Sequence, residues 1–288
     1  MASGFNSIRE LVVAEDTLGS KKLSSYRKVP IQTTAKGFWF DLSMSPGNPL
    51  PQYYAASPLT ATILARSTDG GLDHGGPVSP AKKVLRKALA MTVTSTVVPC
   101  PIIICDYLLY YSFIDQGTTD PQTMINTNTL TRYTDGVGVQ AMAVCVAAHT
   151  GGQTFSINYT NSDGVAGRVS PNCTMTTQSV NGTIITSATN TLGANGAFIP
   201  LQGGDKGIRS IQSVTMNGVD IGLFALVLVK PIAQLSIRGI DAPVEIDYFK
   251  DFSNLPEIKD DAYLNMICMP GGTINGSTIM GYTEVSWF

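Results

Sequence analysis

Two histidines, His74 and His149, are the only side chains in this sequence whose ordinary chemistry exchanges protons near neutral pH. A Ser-His-Asp triad would have to use one of them. His74 lies in Gly70-Gly71-Leu72-Asp73-His74-Gly75-Gly76, and His149 falls between an apolar stretch and Thr150-Gly151-Gly152. No GxSxG elbow accompanies either. An Asp73–His74 metal pair would need further ligands that the sequence does not supply. Carboxylates gather in the C-terminal third: Glu245, Asp247, Asp251, Glu257, Asp260 and Asp261. Glu245 and Asp247, at alternate positions of a strand, would share a face and could serve glycoside hydrolysis. The simpler reading is a polar outer strand face. Gly203-Gly204-Asp205-Lys206-Gly207 departs from GxxxxGK[ST] and leads into a strand-like segment, so it reads as a turn. Residues 158–164 place oxygens at alternate positions but lack the spacing and terminal Glu of an EF-hand. The chain is therefore expected to be no enzyme and to hold no cofactor and no metal.

Composition points toward contact instead. Apolar residues make up 43 %, enough for a sizeable core, while charged residues make up 14 %, against roughly 25 % in a typical chain. Thr, Ser, Asn, Gln and Gly fill the difference, and burying such groups in an interface costs less desolvation than burying Lys or Glu. The net charge of −2 argues against a general nucleic-acid binder. The local exception is the basic group Lys82, Lys83, Arg86 and Lys87, read as the solvated face of a helix or as a docking patch for an acidic partner. No apolar run reaches the length of about 18 residues that spans a membrane, and the N-terminal residues lack a signal-peptide core, so the protein is expected to be made in a cytoplasm. The five cysteines form no CxxC pair; Cys100, Cys105 and Cys145 sit in apolar surroundings and read as small buried hydrophobes.

The elements that position these residues read as β. Residues 1–36 are expected to be an extended N-terminal arm with one short helix, capped by Ser7 with Glu10 at N3 and burying Ile8, Leu11 and Val12. Residues 37–288 are expected to form a single β-rich domain. It begins with a Pro- and aromatic-rich loop, 37–62, whose Phe38, Trp39, Phe40, Tyr53 and Tyr54 either cover the chain's own core or anchor a contact surface. A helix is expected near 80–91, with Ser79 as N-cap, Pro80 at N1, and Val84, Leu85, Ala88 and Leu89 at helical spacing. Strands are then expected at 93–98, 102–111, 139–147, 154–159, 183–187, 208–216, 223–230, 234–238, 244–248, 264–269 and 278–287. Asn-Gly and Asp-Gly turns separate many of them, and Asn217-Gly218 reads as a hairpin. The fold class that follows is mainly β: an antiparallel β-sandwich or jelly-roll-like domain with one or two short helices.

Several strings resemble a family of tailed-bacteriophage virion proteins: Pro46-Gly47-Asn48-Pro49, Tyr53-Tyr54-Ala55-Ala56, Asp106-Tyr107-Leu108-Leu109-Tyr110-Tyr111, Arg132-Tyr133-Thr134-Asp135-Gly136 and Tyr159-Thr160-Asn161-Ser162-Asp163-Gly164. The resemblance spans about residue 38 to the C-terminus and carries over no catalytic residue. It implies a capsid decoration or cement protein located in the virion. Such a protein binds the major capsid protein, forms a homo-oligomer (trimer favoured), and contacts neither nucleic acid nor membrane. A jelly-roll coat protein, a neck or tail component, and a virion-borne polysaccharide hydrolase are the alternatives.

Overall fold

The computed structural model describes residues 7–177, 180–187, 194–251 and 255–288. It is an antiparallel β-sandwich of three sheets with a few short helices. The frame is a sheet whose two long strands, Cys100–Asp115 and Leu223–Ile237, pair along their whole lengths. Gln140–Ala147 flanks one side, and Leu264–Cys268 with Phe40–Asp41 flanks the other. Both long strands are nearly continuous apolar runs, as strands covered on both faces require.

Three bulges interrupt the pairing; one sets Ala225 against Ser112 and Phe113, and the other two keep the strands in phase with the core. In these two the extra residues are Leu108 and Ile232, and each resets the alternation of side chains. As a result Ile102, Ile104, Leu109 and Tyr111 on one strand share a face with Leu226, Leu228, Ala233 and Leu235 on the other. Two further sheets cover that face end to end. One, ordered Val244–Asp247, Lys83–Thr92, Ile279–Trp287, Lys21–Lys28 and Gly47–Asn48, packs Leu85, Ala88, Ala90, Ile279 and Val285 over the end bearing Ile102 and Leu235. The other, built on Thr154–Asn161 and Ile208–Met216, packs Phe155, Ile157, Tyr159, Ile211 and Val214 over the end bearing Tyr111 and Leu226. The opposite face of the long sheet holds Cys105, Tyr107, Val144, Val227 and Val229. Irregular chain covers it with Met44, Tyr54, Leu64, Ile184 and Ala197.

The structure corrects several sequence expectations. The helix expected near 80–91 is the strand Lys83–Thr92. Arg86 is an extra residue opposite Glu284 and Val285, so this bulge places Leu85 and Ala88 on one face although they are three apart, the spacing that mimics a helix. The strand expected at 93–98 is a 3-10 turn, Ser95–Val97. The strands flanking Asn217-Gly218 do not form a hairpin: Ile208–Met216 pairs within one sheet and Leu223–Ile237 within another. The segments 223–230 and 234–238 are one strand, because Pro231 is accommodated at the Ile232 bulge. Thr183 and Ile184 make only isolated bridges, to Phe40 and Val144.

The first six residues of the expected N-terminal arm lie outside the described residues. The short helix, Ile8–Val12, is capped by the Ser7 side chain accepting from the Glu10 N–H at 3.2 Å. Leu11 is buried, but Ile8 and Val12 are exposed. The polar stretch that follows is a strand paired on both sides, Lys21–Lys28. It turns Tyr26 and Lys28 inward and Lys21, Leu23, Ser25 and Arg27 outward.

Candidate interaction surface

The aromatic segment divides between core and surface. Phe40 and Tyr54 are fully buried, Phe38 and Trp39 are partly exposed, and Tyr53 is exposed. Tyr54 belongs to a buried polar cluster. Its hydroxyl donates to Asp41 Oδ2 and lies 2.8 Å from Ser43 Oγ, while Tyr107 Oη donates to Asp41 Oδ1 at 2.8 Å and the Ser43 N–H to the same oxygen at 2.9 Å. Burial pushes the Asp41 carboxyl up, and the bonds from Tyr54, Ser43 and Tyr107 pull it back down. Lys28, also buried, donates to the carbonyls of Ser45 at 3.0 Å and Pro49 at 2.7 Å. Burial lowers its pKa to about 8, against the pull of Asp41. Strand Lys21–Lys28 thus anchors the proline-rich loop from beneath.

The basic group is not a single patch. Only Lys82 is exposed; Arg86 and Lys87 are half-buried and Lys83 is buried. Arg86 pairs with Asp247, stands 3.5 Å from Glu15, and lies over the Phe249 ring at 5.2 Å. Glu15 also accepts from Ser286 Oγ at 2.6 Å. These contacts clasp the N-terminal helical segment to the sheet, so the Arg86 charge is spent within the chain.

The groups that could have done chemistry are similarly engaged. The Glu245 carboxylate accepts from Tyr282 Oη, and Asp247 accepts from the N–H groups of Phe249 and Lys250 as well as pairing with Arg86. His149 is buried with Nδ1 at 3.3 Å from Gln116 Oε1. His74 Nε2 lies 2.8 Å from the Ala262 carbonyl, which only an N–H can satisfy. Burial lowers the His74 pKa to about 4, so its ring is neutral at physiological pH. In the glycine-rich turn, Asp205 accepts from Tyr159 Oη at 2.6 Å, Asn161 Nδ2 at 2.7 Å and Arg168 Nε at 3.0 Å. The Asn161 side-chain oxygen accepts from the N–H groups of Asp163 and Val165 and so closes the 161–165 turn. Among the described residues no three His, Cys, Asp or Glu side chains stand together as metal ligands, and no helix is long and apolar enough to cross a membrane. All five cysteines are buried, and none of them forms a disulfide.

Exposed apolar side chains are spread over the surface, Leu50 at 77 % and Ile221 at 71 % among them, and in two places apolar residues also adjoin clefts. In the N-terminal segment Ile8, Val12, Leu18, Leu23 and Ile31 are exposed, with Leu18 at 70 % and Ile8 at 66 %. Leu11 and Ala14 dock the helical segment, turning Ile8, Val12 and Leu18 outward. A cleft of about 520 Å³ lies between this segment and Trp287 and Phe288. The second place is the end of the long sheet that the irregular cover does not reach. There Ile103, Gln234 and Ser236 face outward into a groove of about 830 Å³ walled by Trp39, Val244 and Ile246. A neighbouring hollow of about 410 Å³ adds Phe198, Ile232 and Tyr248. Sequence reasoning identified Trp39 but missed the N-terminal residues, because Ile8 and Val12 carry the spacing of a buried helix face.

The described geometry defines an antiparallel β-sandwich with apolar residues beside clefts at its N-terminal segment and at one sheet end. Neither a family model nor a curated protein matches the chain. Among solved structures, that of infectious bursal disease virus Gt strain is similar at 10 % identity over 93 % of this chain and 80 % of that one, with a TM-score of 0.18. The infectious bursal disease virus VP2 subviral particle is similar at 9 % identity over 98 % of this chain and 87 % of that one, with a TM-score of 0.15. At such TM-scores the superposition carries no argument about this chain.

Proposed function

We propose that this protein is a virion structural protein that works by contact, and that it binds the outside of a phage capsid as a cement protein stabilising subunit junctions. The observation that carries the reading is the placement of apolar side chains. Ile8, Val12 and Leu18 stand outward on a segment that Arg86, Glu15 and Ser286 hold in place, while the ionisable groups nearest to a catalytic pattern are engaged within the chain. Large exposed apolar groups on a fixed scaffold favour a protein partner. A surface poor in charge makes such contact less sensitive to salt. Repeated copies on a shell would strengthen modest individual contacts through avidity.

The test is a copy number. Quantitative mass spectrometry of purified virions is expected to find this chain near parity with the major capsid protein. A dozen or so copies would move it to the neck or tail. The same exposed N-terminal segment also favours a second reading, a coat protein that assembles by itself. Closed particles formed by the purified chain alone, seen by negative-stain electron microscopy, would establish that reading in place of cement.

A further inference from the structure

The buried amine of Lys83 has surroundings that differ from those of an ordinary ion pair. Its side chain is fully shielded from solvent. Nζ lies 3.0 Å from His74 Nδ1, donates to the Gly76 carbonyl at 2.8 Å, and stands 3.7 Å from Asp260 Oδ1. His74 Nε2–H is committed to the Ala262 carbonyl, so the Nδ1 lone pair points at the amine. The Asp260 carboxylate meanwhile receives two backbone N–H groups, Val78 at 2.9 Å on Oδ1 and Ser79 at 3.3 Å on Oδ2. Lys83 pairs with Ile258 across the sheet edge, which holds the amine and the carboxyl on adjoining backbone. Nucleophile, proton acceptor, electrophile and oxyanion donors are thus collected around one buried amine, with the Asp260 side chain 31 % exposed.

We propose that Lys83 and Asp260 condense to an intramolecular isopeptide bond, with His74 carrying the proton. Desolvation of the Lys83 amine disfavours its ammonium form: its pKa is lowered by burial and further by the nearby Arg66 guanidinium, with Asp260 and Asp73 opposing. Transfer of one proton from the ammonium to the carboxylate gives the neutral amine and carboxylic acid. The amine lone pair then forms the Nζ–Cγ bond, and the carbonyl electron pair moves onto Oδ1, held by the Val78 N–H as in an oxyanion hole. His74 Nδ1 accepts the proton that Nζ sheds and delivers it to the Oδ2 hydroxyl. The Cγ–Oδ2 bond breaks, the carbonyl reforms, and one water leaves. Amine plus acid gives amide plus water, with no oxidant, metal or other reactant. Holding both groups in place supplies the entropic advantage that makes an otherwise slow condensation feasible. The bond would tie residue 83 to residue 260 covalently, whatever the protein's function.

The purified full chain, denatured and weighed by intact mass spectrometry, is expected to fall short of its sequence mass by one water. Peptide mapping should recover a branched peptide joining Lys83 to Asp260, with trypsin failing to cut after Lys83. Lys83→Arg and Asp260→Ala should have full mass, and His74→Gln should convert more slowly over a time course. A wild-type chain of full mass overturns the proposal. So does a lost water that maps to succinimide at Asp69-Gly70, Asp135-Gly136 or Asp163-Gly164. A His74→Gln chain that converts as fast as wild type removes His74 from the mechanism.

Discussion

Individual residues in this protein are polar where the sandwich has to be fastened. Asp41, Asp106 and Asp205 each gather donors from segments far apart in sequence. Asp106 takes the Arg132 guanidinium at 2.9 and 2.8 Å and the Tyr263 N–H at 3.0 Å. Arg132 in turn donates to the carbonyls of Leu64 and Tyr107, so a buried ion pair is completed by hydrogen bonds, the condition under which such a pair is tolerated. Asp205 gives the clearest pH signature. The Arg168 guanidinium, with Tyr159 and Asn161, lowers its carboxyl to about 2. A carboxyl held below its unfolded value stabilises the fold above that value, near 4, and this contribution is lost as pH falls through about 2. Asp205→Asn is therefore expected to lower the thermal midpoint at neutral pH and to flatten its decline between pH 4 and 2. A mutant whose midpoint runs parallel to wild type across that window would show that the carboxylate is not what fastens the turn.

At the level of elements, the bulges decide what could be read from sequence. The strand Ile208–Met216 was legible to the residue, and the apolar runs marked 102–111 of one long strand and split the other into 223–230 and 234–238, because burial on both faces leaves a signal in composition while the Pro231 and Ile232 interruption reads as a break. Lys83–Thr92 was not legible, since the Arg86 bulge turned a two-residue alternation into a three-residue one. Asn217-Gly218 misled because turn chemistry specifies a reversal of the chain and not which sheet the chain enters next. The burial of Lys28 and Lys83 was equally hidden: their partners are carbonyls at Ser45, Pro49 and Gly76, which no local pattern marks. The bulge argument makes a sharp prediction. Deleting Arg86 leaves Leu85, Lys87 and Ala88 in regular alternation against Val285 and Glu284. That chain should fold, with a thermal midpoint close to that of Arg86→Ala, since both lose the same contacts with Asp247 and Glu15. Deleting Leu89 instead inverts one part of the strand relative to the other and sends its core residues to the wrong face. It should show no cooperative transition by circular dichroism. If both deletions unfold alike, the bulge is not what sets the register.

For the whole molecule, the question is what the outward apolar side chains meet. Two sheets and one long sheet close around their own cores, and the face they leave open is covered by irregular chain except at the groove beside Trp39. Folding therefore gains little from Ile8, Val12 and Leu18, which stay exposed at 66 %, 49 % and 70 %. A contact that desolvated them would gain up to roughly 1.5–3 kcal/mol for each side chain fully buried. Stability and association should then separate under mutation. The triple variant Ile8→Ser, Val12→Ser, Leu18→Ser is expected to keep the wild-type thermal midpoint within about 2–4 °C, the shift of a change of about 1 kcal/mol in a chain of this size. Its self-association, followed by analytical ultracentrifugation over a concentration series, should weaken at least tenfold, or about 1.4 kcal/mol. A variant that loses its thermal transition would place these residues in the fold rather than in a contact. A variant that associates as tightly as wild type would shift the contact to the groove at the open sheet end, where Trp39→Ala becomes the discriminating substitution.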